Sequence, residues 1–352
     1  MRIAGLTDGG QRAEDVAARL ASWLRAARSS IDLALYSVRI PGPVGGELAA
    51  VLRDASARGI AVRAVVQHPD VKPTPLHGTV APRTRPELLR RLGVQIRTIA
   101  PERALMHHKF AVRDGTALWT GSTNWTLADW TTEENVIVQA ESPELATVYM
   151  QVFEQLWENG TIDDSGAIEA PPVRLDGGPV RPWFCPAQGR DLSQRIAEHV
   201  AGARTRLRIA SPVITAGPVL RALDDVRAAG TTDASGIVDL TQTHAVLGQW
   251  HALGAHWKAP VLERVLDSLR FAGKSSTPFD GTPGVRHDTM HAKVVVADDT
   301  VFVGSFNLSR SGEDNAENVL EIQSRTLADQ MAGYVDALRA RYPPAAPGPA
   351  AA

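Results

Sequence analysis

The chain is short of several things, and each shortage excludes something. One cysteine, Cys185, occurs in 352 residues, so no intrachain disulfide can form. No apolar run approaches the ~18 residues of a membrane span. The N-terminus, MRIAGLTDGGQ, lacks the apolar core of a signal peptide. The expectation is a soluble, cytoplasmic protein, with a mature secreted form left open. Charge of one sign is also scarce. The formal net charge is −2 and the pI about 6.6, with no basic run, so the global signature of a nucleic-acid binder is missing.

What is present is ordinary globular composition, 44% apolar. At ~150 residues per domain the length points to two domains, each able to bury a core. The order of elements repeats. Val16, Leu20, Trp23, Leu24 and Ala27 form one helical stripe, and Leu192, Ile196, His199, Val200 and Ala203 repeat its spacing. Each stripe runs into a strand, at Ile31 and at Leu207. Further helices are expected from Leu145 and Leu327. The predicted fold class is α/β: two similar α/β/α sandwich domains related by a pseudo-two-fold, with the active site at their interface. The domains expected are residues 1–160, a Gly/Pro/Asp-rich linker at 161–182, residues 183–342, and a disordered tail at 343–352. Irregular stretches precede both motifs described next, around residues 68–86 and 272–289, and are candidates for substrate contact.

The repeat is sharpest in two segments, MHHKFAVRDGTALWTGSTN from Met106 and MHAKVVVADDTVFVGSFN from Met290. In each, a His lies two residues before a Lys at the head of a strand, so both side chains share a face. An Asp marks a hairpin turn, and Gly-Ser-x-Asn closes the next strand. The paired residues are His107 and His291, Lys109 and Lys293, Asp114 and Asp298, Ser122 and Ser305, and Asn124 and Asn307. A Glu-Asn pair follows each Asn by ten residues, Glu134-Asn135 and Glu317-Asn318. His, Lys and Asn held together suit an anion: Lys is a point charge, Asn donates hydrogen bonds, and His attacks or carries a proton.

A phosphodiester explains why the motif should occur twice. In-line displacement needs an attacker on one side of phosphorus and a proton donor on the other. Two facing copies supply both, and Lys109, Lys293, Asn124 and Asn307 can neutralise the phosphoryl oxygens, so no metal and no other cofactor is required. Glu134 and Glu317 are the expected partners of the far ring nitrogens of the histidines. Ser122 and Ser305 are candidates for phosphate contact, with a local turn hydrogen bond as the alternative. His108 reads as structural. Trp119, Phe302, Trp125 and Phe306 read as core rather than substrate platforms. His244, His251 and His256 make at best a weak metal motif.

The doubled HxK, Asp and GSxN pattern resembles the phospholipase D superfamily, over about Val16 to Leu338. The resemblance implies a covalent phosphohistidine on one motif His, with the other acting as acid and then activating water. It implies His107 as nucleophile, His291 as acid/base, and a structural role for Asp114 and Asp298. The form GSTNWT followed by Glu134-Asn135 looks like the small nuclease and mitochondrial branch. That favours a metal-independent phosphodiesterase acting on nucleic acid, although the neutral charge points the other way. The alternative is a phospholipase D acting on phospholipid headgroups, which would require exposed apolar loops around the cleft. A non-catalytic binding protein would be expected to have lost a His or Lys, and both motifs are intact. Oligomeric state is not legible.

Overall fold

The structure is a computed structural model, and it describes residues 1–69, 84–102, 104–175, 178–254, 257–279 and 285–345. Most of the first irregular loop, residues 70–83, and residues 280–284 of the second lie outside the described residues, as do His256 and the tail from 346.

The first half runs β1 (Arg2–Leu6), α1 (Ala13–Arg25), β2 (Ser30–Leu35), β3 (Val38–Arg39), α2 (Gly42–Ala57), β4 (Ala61–Gln67), α3 (Pro86–Arg90) and β5 (Gln95–Ile99). It continues through β6 (Lys109–Arg113), β7 (Ala117–Gly121), β8 (Trp125–Thr126), α4 (Leu127–Thr131), β9 (Asn135–Glu141) and α5 (Pro143–Asn159). The second half runs β10 (Val173–Leu175), β11 (Gly178–Cys185), α6 (Gly189–Gly202), β12 (Arg206–Ser211), α7 (Gly217–Ala229), β13 (Asp233–Asp239), α8 (Leu240–Ala252) and α9 (Lys258–Ser268). It ends with β14 (Phe271–Lys274), β15 (Val294–Ala297), β16 (Thr300–Gly304), α10 (Arg310–Asp314), β17 (Glu317–Gln323) and α11 (Arg325–Arg341).

Both halves build the same mixed sheet. The first has the order β1-β9-β7-β6-β2-β4-β5, the second β10-β11-β17-β16-β15-β12-β13-β14. In each, the strand after the first helix pairs parallel with the strand that follows the second helix and antiparallel with the motif hairpin. The expected pair of α/β/α halves is therefore present. Strands also fall where the sequence suggested less. β1 closes an edge of the first sheet against β9. β10 and the start of β11 lie in the stretch expected to be linker, and β11 pairs with β17. The stretch is rich in Gly and Pro, but each residue need only fit an edge or near-edge strand.

Apolar periodicity explains the layers. Val16, Leu20 and Leu24 of α1 and Leu48 and Val51 of α2 cover the outer face of the first sheet. α6, α7 and α9 do the same for the second. The inner faces share one core. It runs from Phe110, Val112 and Val138 through Tyr149 and Phe153 of α5 and Met331 and Val335 of α11 to Val294, Val296 and Leu320. Both central helices begin alike: Ser142 accepts from Leu145 N, and Ser324 from Leu327 N. α11 also reaches the first sheet, where Tyr334 Oη donates to Leu6 O and Asn135 O. Only glycine fits beneath it, because a Cβ on Gly5 would lie 2.4 Å from the Tyr334 ring.

The expected disordered tail begins too early at 343. Gly273 N donates to Pro343 O, and Ala345 N to Phe271 O, so 343–345 line the exposed edge of β14. No helix among the described residues is long and apolar enough to cross a membrane.

Candidate active site

The two motifs meet because the halves exchange backbone. His107 N donates to Ala316 O at 2.9 Å, and His291 N to Glu134 O at 3.0 Å. Each segment before an HxK thus lies parallel to the start of the other half's β9 or β17. The segment is anchored from below as well. Met106 N donates to Gln67 Oε1 and Met290 N to Asp239 Oδ2, both at the ends of equivalent strands.

His107 Nδ1 lies 2.8 Å from Glu317 Oε1, a contact from one half to the other. Lys109 Nζ donates to His107 O at 2.8 Å, and Lys293 Nζ donates to His291 O. Both lysines and both histidines are buried. Burial holds Lys109 down at about 8, and Lys293 well below the ordinary lysine value, helped there by the Lys109 charge. Burial pushes Glu317 up to about 7, against the pull of Lys109. His291 is held well below the ordinary histidine value by burial, then by Lys293, Lys109 and His107. These mutual effects put Lys109, Lys293, Glu317, His107 and His291 in one electrostatic neighbourhood.

Glu134 does not face His291, contrary to expectation. The two Glu-Asn pairs are equivalent in sequence but not in space. Ser122 N donates to Val136 O, whereas Ser305 N donates to Asn318 O. Val136 therefore stands where Asn318 stands, Asn135 where Glu317 stands, and Glu134 where Ala316 stands. A slip of one residue on a strand sends every side chain to the other face. His291 Nδ1 accordingly meets Asn135 Oδ1 at 3.1 Å, with Asp129 Oδ1 at 3.6 Å and Glu133 Oε2 at 3.7 Å. Glu134 turns away to Lys274 Nζ at 2.9 Å and to the Tyr342 hydroxyl.

The serines work inside the scaffold. Ser122 Oγ donates to Asn135 Oδ1 at 2.6 Å and accepts from Val136 N, while Ser305 Oγ accepts from Asn318 N. Both are fully buried, so the turn hydrogen bond is the reading their geometry fits. Asn124 donates through Nδ2 to Asp129 Oδ1, and its Oδ1 and that of Asn307 have no hydrogen-bond partner among the described residues.

Asp114 and Asp298 stay out of the site. Both sit at hairpin turns with left-handed φ, +55° and +50°. Asp114 accepts from Arg28 N, Ser29 N and Ser30 N, and Asp298 from Arg204 N, Thr205 N and Arg206 N. They tie the hairpin to the start of the neighbouring strand.

His108 points away from the site, as period two requires. It is buried against Phe110 and Phe184, with Nδ1 3.3 Å from Asn318 Oδ1, and burial lowers it to about 4. Trp119, Trp125, Phe302 and Phe306 are core. His244 and His251 are exposed and gather no metal-ligand group among the described residues. Asp129, Glu133 and His291 do place donor atoms within 4.8 Å of one another. The carboxylate oxygens there already accept from Asn124 N, the Thr126 hydroxyl and Asn135 Nδ2, so the group reads as a hydrogen-bonded relay.

Sequence reasoning missed Tyr36, whose ring packs edge-on to His107 at 4.7 Å with Lys109 Nζ 5.0 Å from its centre. It belongs to neither motif, and only its place at the end of β2, beside the motif strand, could have marked it. Asp129, Glu133 and Asn135 were missed because the Glu-Asn pairs were aligned by identity.

Two half-sites of this kind on two mixed sheets define a phospholipase D-like protein. The family described as "Cardiolipin synthase, PLD-like domain" matches residues 20–157 and 196–339, and the chain belongs to it. The human protein named mitochondrial cardiolipin hydrolase is 34% identical over 179 residues, covering 48% of this chain and 65% of that protein. The zebrafish (Danio rerio) protein of the same name is 33% identical over 141 residues, 40% of this chain and 56% of its own. The chain thus spans less than two thirds of these relatives. Among solved structures, phosphatidylserine synthase from Haemophilus influenzae Rd KW20 superposes with a TM-score of 0.67 at 13% identity, over 96% of this chain and 86% of that one. Polyphosphate kinase from Porphyromonas gingivalis does so at 0.60 and 14%, over 96% and 47%. At such identities these two bear on the fold alone.

Proposed function

We propose that the chain is a phosphodiesterase acting on phospholipids, cleaving or exchanging the bond between phosphorus and the headgroup oxygen. The observation that carries the phosphodiesterase reading is the enclosed pair of histidines, each bonded to a residue of the opposite half and each beside a lysine. His107 Nε2 attacks phosphorus while Nδ1–H is held by Glu317. The bond to the leaving alcohol breaks, and its oxygen takes a proton from His291 Nε2. Water then attacks the phosphohistidine and gives its proton to His291, and the phosphomonoester leaves. Lys109 and Lys293, with amide N–H groups of Asn124 and Asn307, stabilise the phosphoryl oxygens. Glu317 supports His107 as the attacker, because a carboxylate on Nδ1 stabilises the cationic phosphoimidazolium.

The phospholipid reading replaces the preference for nucleic acid drawn from motif style. It is supported by the cardiolipin synthase-type family and by relatives named cardiolipin hydrolases. A net charge of −2 agrees with it, since nucleic-acid enzymes track a phosphate backbone with clustered cations. Exposed apolar side chains occur close in sequence to both motifs, as a lipid substrate requires. Leu127 follows the first GSxN motif, and Val285 precedes the second HxK. Trp257 is exposed beside Lys258, whose Nζ donates to Thr215 O, and Thr215 N donates to Leu308 O, next to Asn307.

The deciding experiment assays cardiolipin and phosphatidylcholine vesicles, single- and double-stranded DNA, RNA and a chromogenic diester, all in EDTA. Turnover of lipid at least ten times faster than of any nucleic acid is expected. Faster cleavage of DNA or RNA would overturn the substrate reading, and turnover only after Mg²⁺ or Zn²⁺ is restored would overturn the roles given to the lysines and asparagines.

A further inference from the structure

His107 and His291 occupy equivalent strand positions, but among the described residues only His107 has a carboxylate within hydrogen-bond distance of Nδ1; those nearest His291 Nδ1 stand at 3.6 and 3.7 Å. Asn135 stands at the equivalent place on His291 and is bonded on both sides. Its Oδ1 lies 3.1 Å from His291 Nδ1, and its Nδ2 donates to Glu133 Oε2 at 3.2 Å and to Asp129 Oδ1 at 3.4 Å. The hydroxyl of Ser122 fixes the amide by donating to the same Oδ1. A primary amide can only accept through oxygen and donate through nitrogen. The chain of bonds therefore has one direction, from imidazole N–H to amide oxygen, and from amide N–H to carboxylate.

We propose that Glu133, with Asp129 beside it, is the counter-charge of His291, acting one amide away through Asn135, and that this relay keeps His291 able to lose its proton to the leaving oxygen. The inference rests on the reading of the site as a phosphodiesterase. A carboxylate in direct contact would hold the imidazolium proton strongly. With the hydrogen bond going to the amide and the carboxylates at 3.6–3.7 Å, that hold on the His291 proton is weaker. Glu133 and Asn135 are positioning residues, and neither touches phosphorus.

The charges facing His291 come from every side. Lys293 lies on its own segment, Lys109 and His107 on the opposite one, and all three disfavour its protonation. Asp129 and Glu133 are the acidic groups near Nδ1, and burial raises both, most strongly Glu133, where Asp129 adds to the effect. Glu317 acts on the two lysines. Without the acidic pair, only the Ser122 backbone would be left to favour the protonated His291 against three cations and burial.

The test compares Glu133→Gln, which keeps shape and removes the ionisable group, with Asn135→Asp, which puts a carboxylate directly on Nδ1. The His291 midpoint is read by NMR of the full chain saturated with inorganic phosphate, its signal assigned by loss in His291→Asn. Glu133→Gln should lower the midpoint by about half a unit or more, and Asn135→Asp should raise it. In parallel, Glu133→Gln should lose roughly tenfold or more on a diester with an alkyl leaving group but under about threefold on a p-nitrophenyl diester, because only the former needs the acid. Midpoints unmoved in both variants, or equal losses on both esters, would overturn the relay. A wild-type protein that cleaves no diester would instead sink the phosphodiesterase reading, and the NMR midpoints would still decide the relay.

Discussion

Beside His107 stands Glu317, and at the same place beside His291 stands Asn135. The backbones there match bond for bond, down to the serine that accepts from the following strand. The difference is one residue of spacing. Asn124 is eleven residues from Asn135, whereas Asn307 is ten from Glu317. On a strand of period two, that extra residue turns Glu134 outward and Asn135 inward. The outward Glu134 then serves the fold, where it meets Lys274, itself within 3.3 Å of Asp8 and Asp288. A duplicated motif can thus keep its geometry while its two histidines acquire different electrostatics.

Removing each histidine tests that inequality most severely. His107→Ala should lose more than about 10⁴-fold on every diester, because no nucleophile remains. His291→Ala should lose about 10²–10⁴-fold on an alkyl ester and much less on a p-nitrophenyl ester. Denaturant-quenched His291→Ala protein should retain label on His107. Label on His291 in the His107→Ala protein would exchange the roles.

The two glutamates sharpen the same contrast. Glu317→Gln should slow both esters alike, on the order of 10²-fold, because it weakens the attacker's partner whatever the leaving group. Glu134→Gln should instead cost about 1–3 kcal/mol of stability, since Lys274 is left buried with fewer partners. Urea melts and ester rates measured on the same samples separate the two. A Glu134→Gln protein that is stable but slow would restore Glu134 to the chemistry.

Most of this was legible because the relevant spacings are rigid. His107 and Lys109 share a face through strand period alone, and the hairpin turn placed Asp114 correctly. The helices at Leu145 and Leu327 follow from their apolar stripes. What escaped depended on pairing rather than pattern. β1 is five residues long and becomes a strand only because β9 offers an edge. Pro343–Ala345 look like a structureless tail until β14 is found beside them. Tyr36 carries no motif. The Glu-Asn pair misled for a sharper reason: two identical dipeptides were aligned by letter, while hydrogen-bond register aligns them one residue apart.

The smallest effect belongs to a feature the halves share. Asp298 is held at about 2 although burial opposes it, by the Thr205 hydroxyl and the N–H groups of Arg204, Thr205 and Arg206. Its ordinary value is 3.8. A depressed folded value stabilises the fold above the unfolded pKa, and that stability disappears as pH falls through the folded one. The window is therefore between about pH 4 and pH 2. Because the turn is partly exposed, the contribution is screened to about 1 kcal/mol. Asp298→Asn keeps a residue that tolerates the left-handed turn and removes the charge. It should lose about 1 kcal/mol at pH 7, and the gap to wild type should narrow as urea melts are repeated toward pH 3. Asp114→Asn should behave in the same sense, since its carboxylate makes the equivalent bonds. Activity per folded molecule should be unchanged in both. A tenfold loss of rate in either, with stability intact, would mean that the turn aspartates reach the chemistry after all.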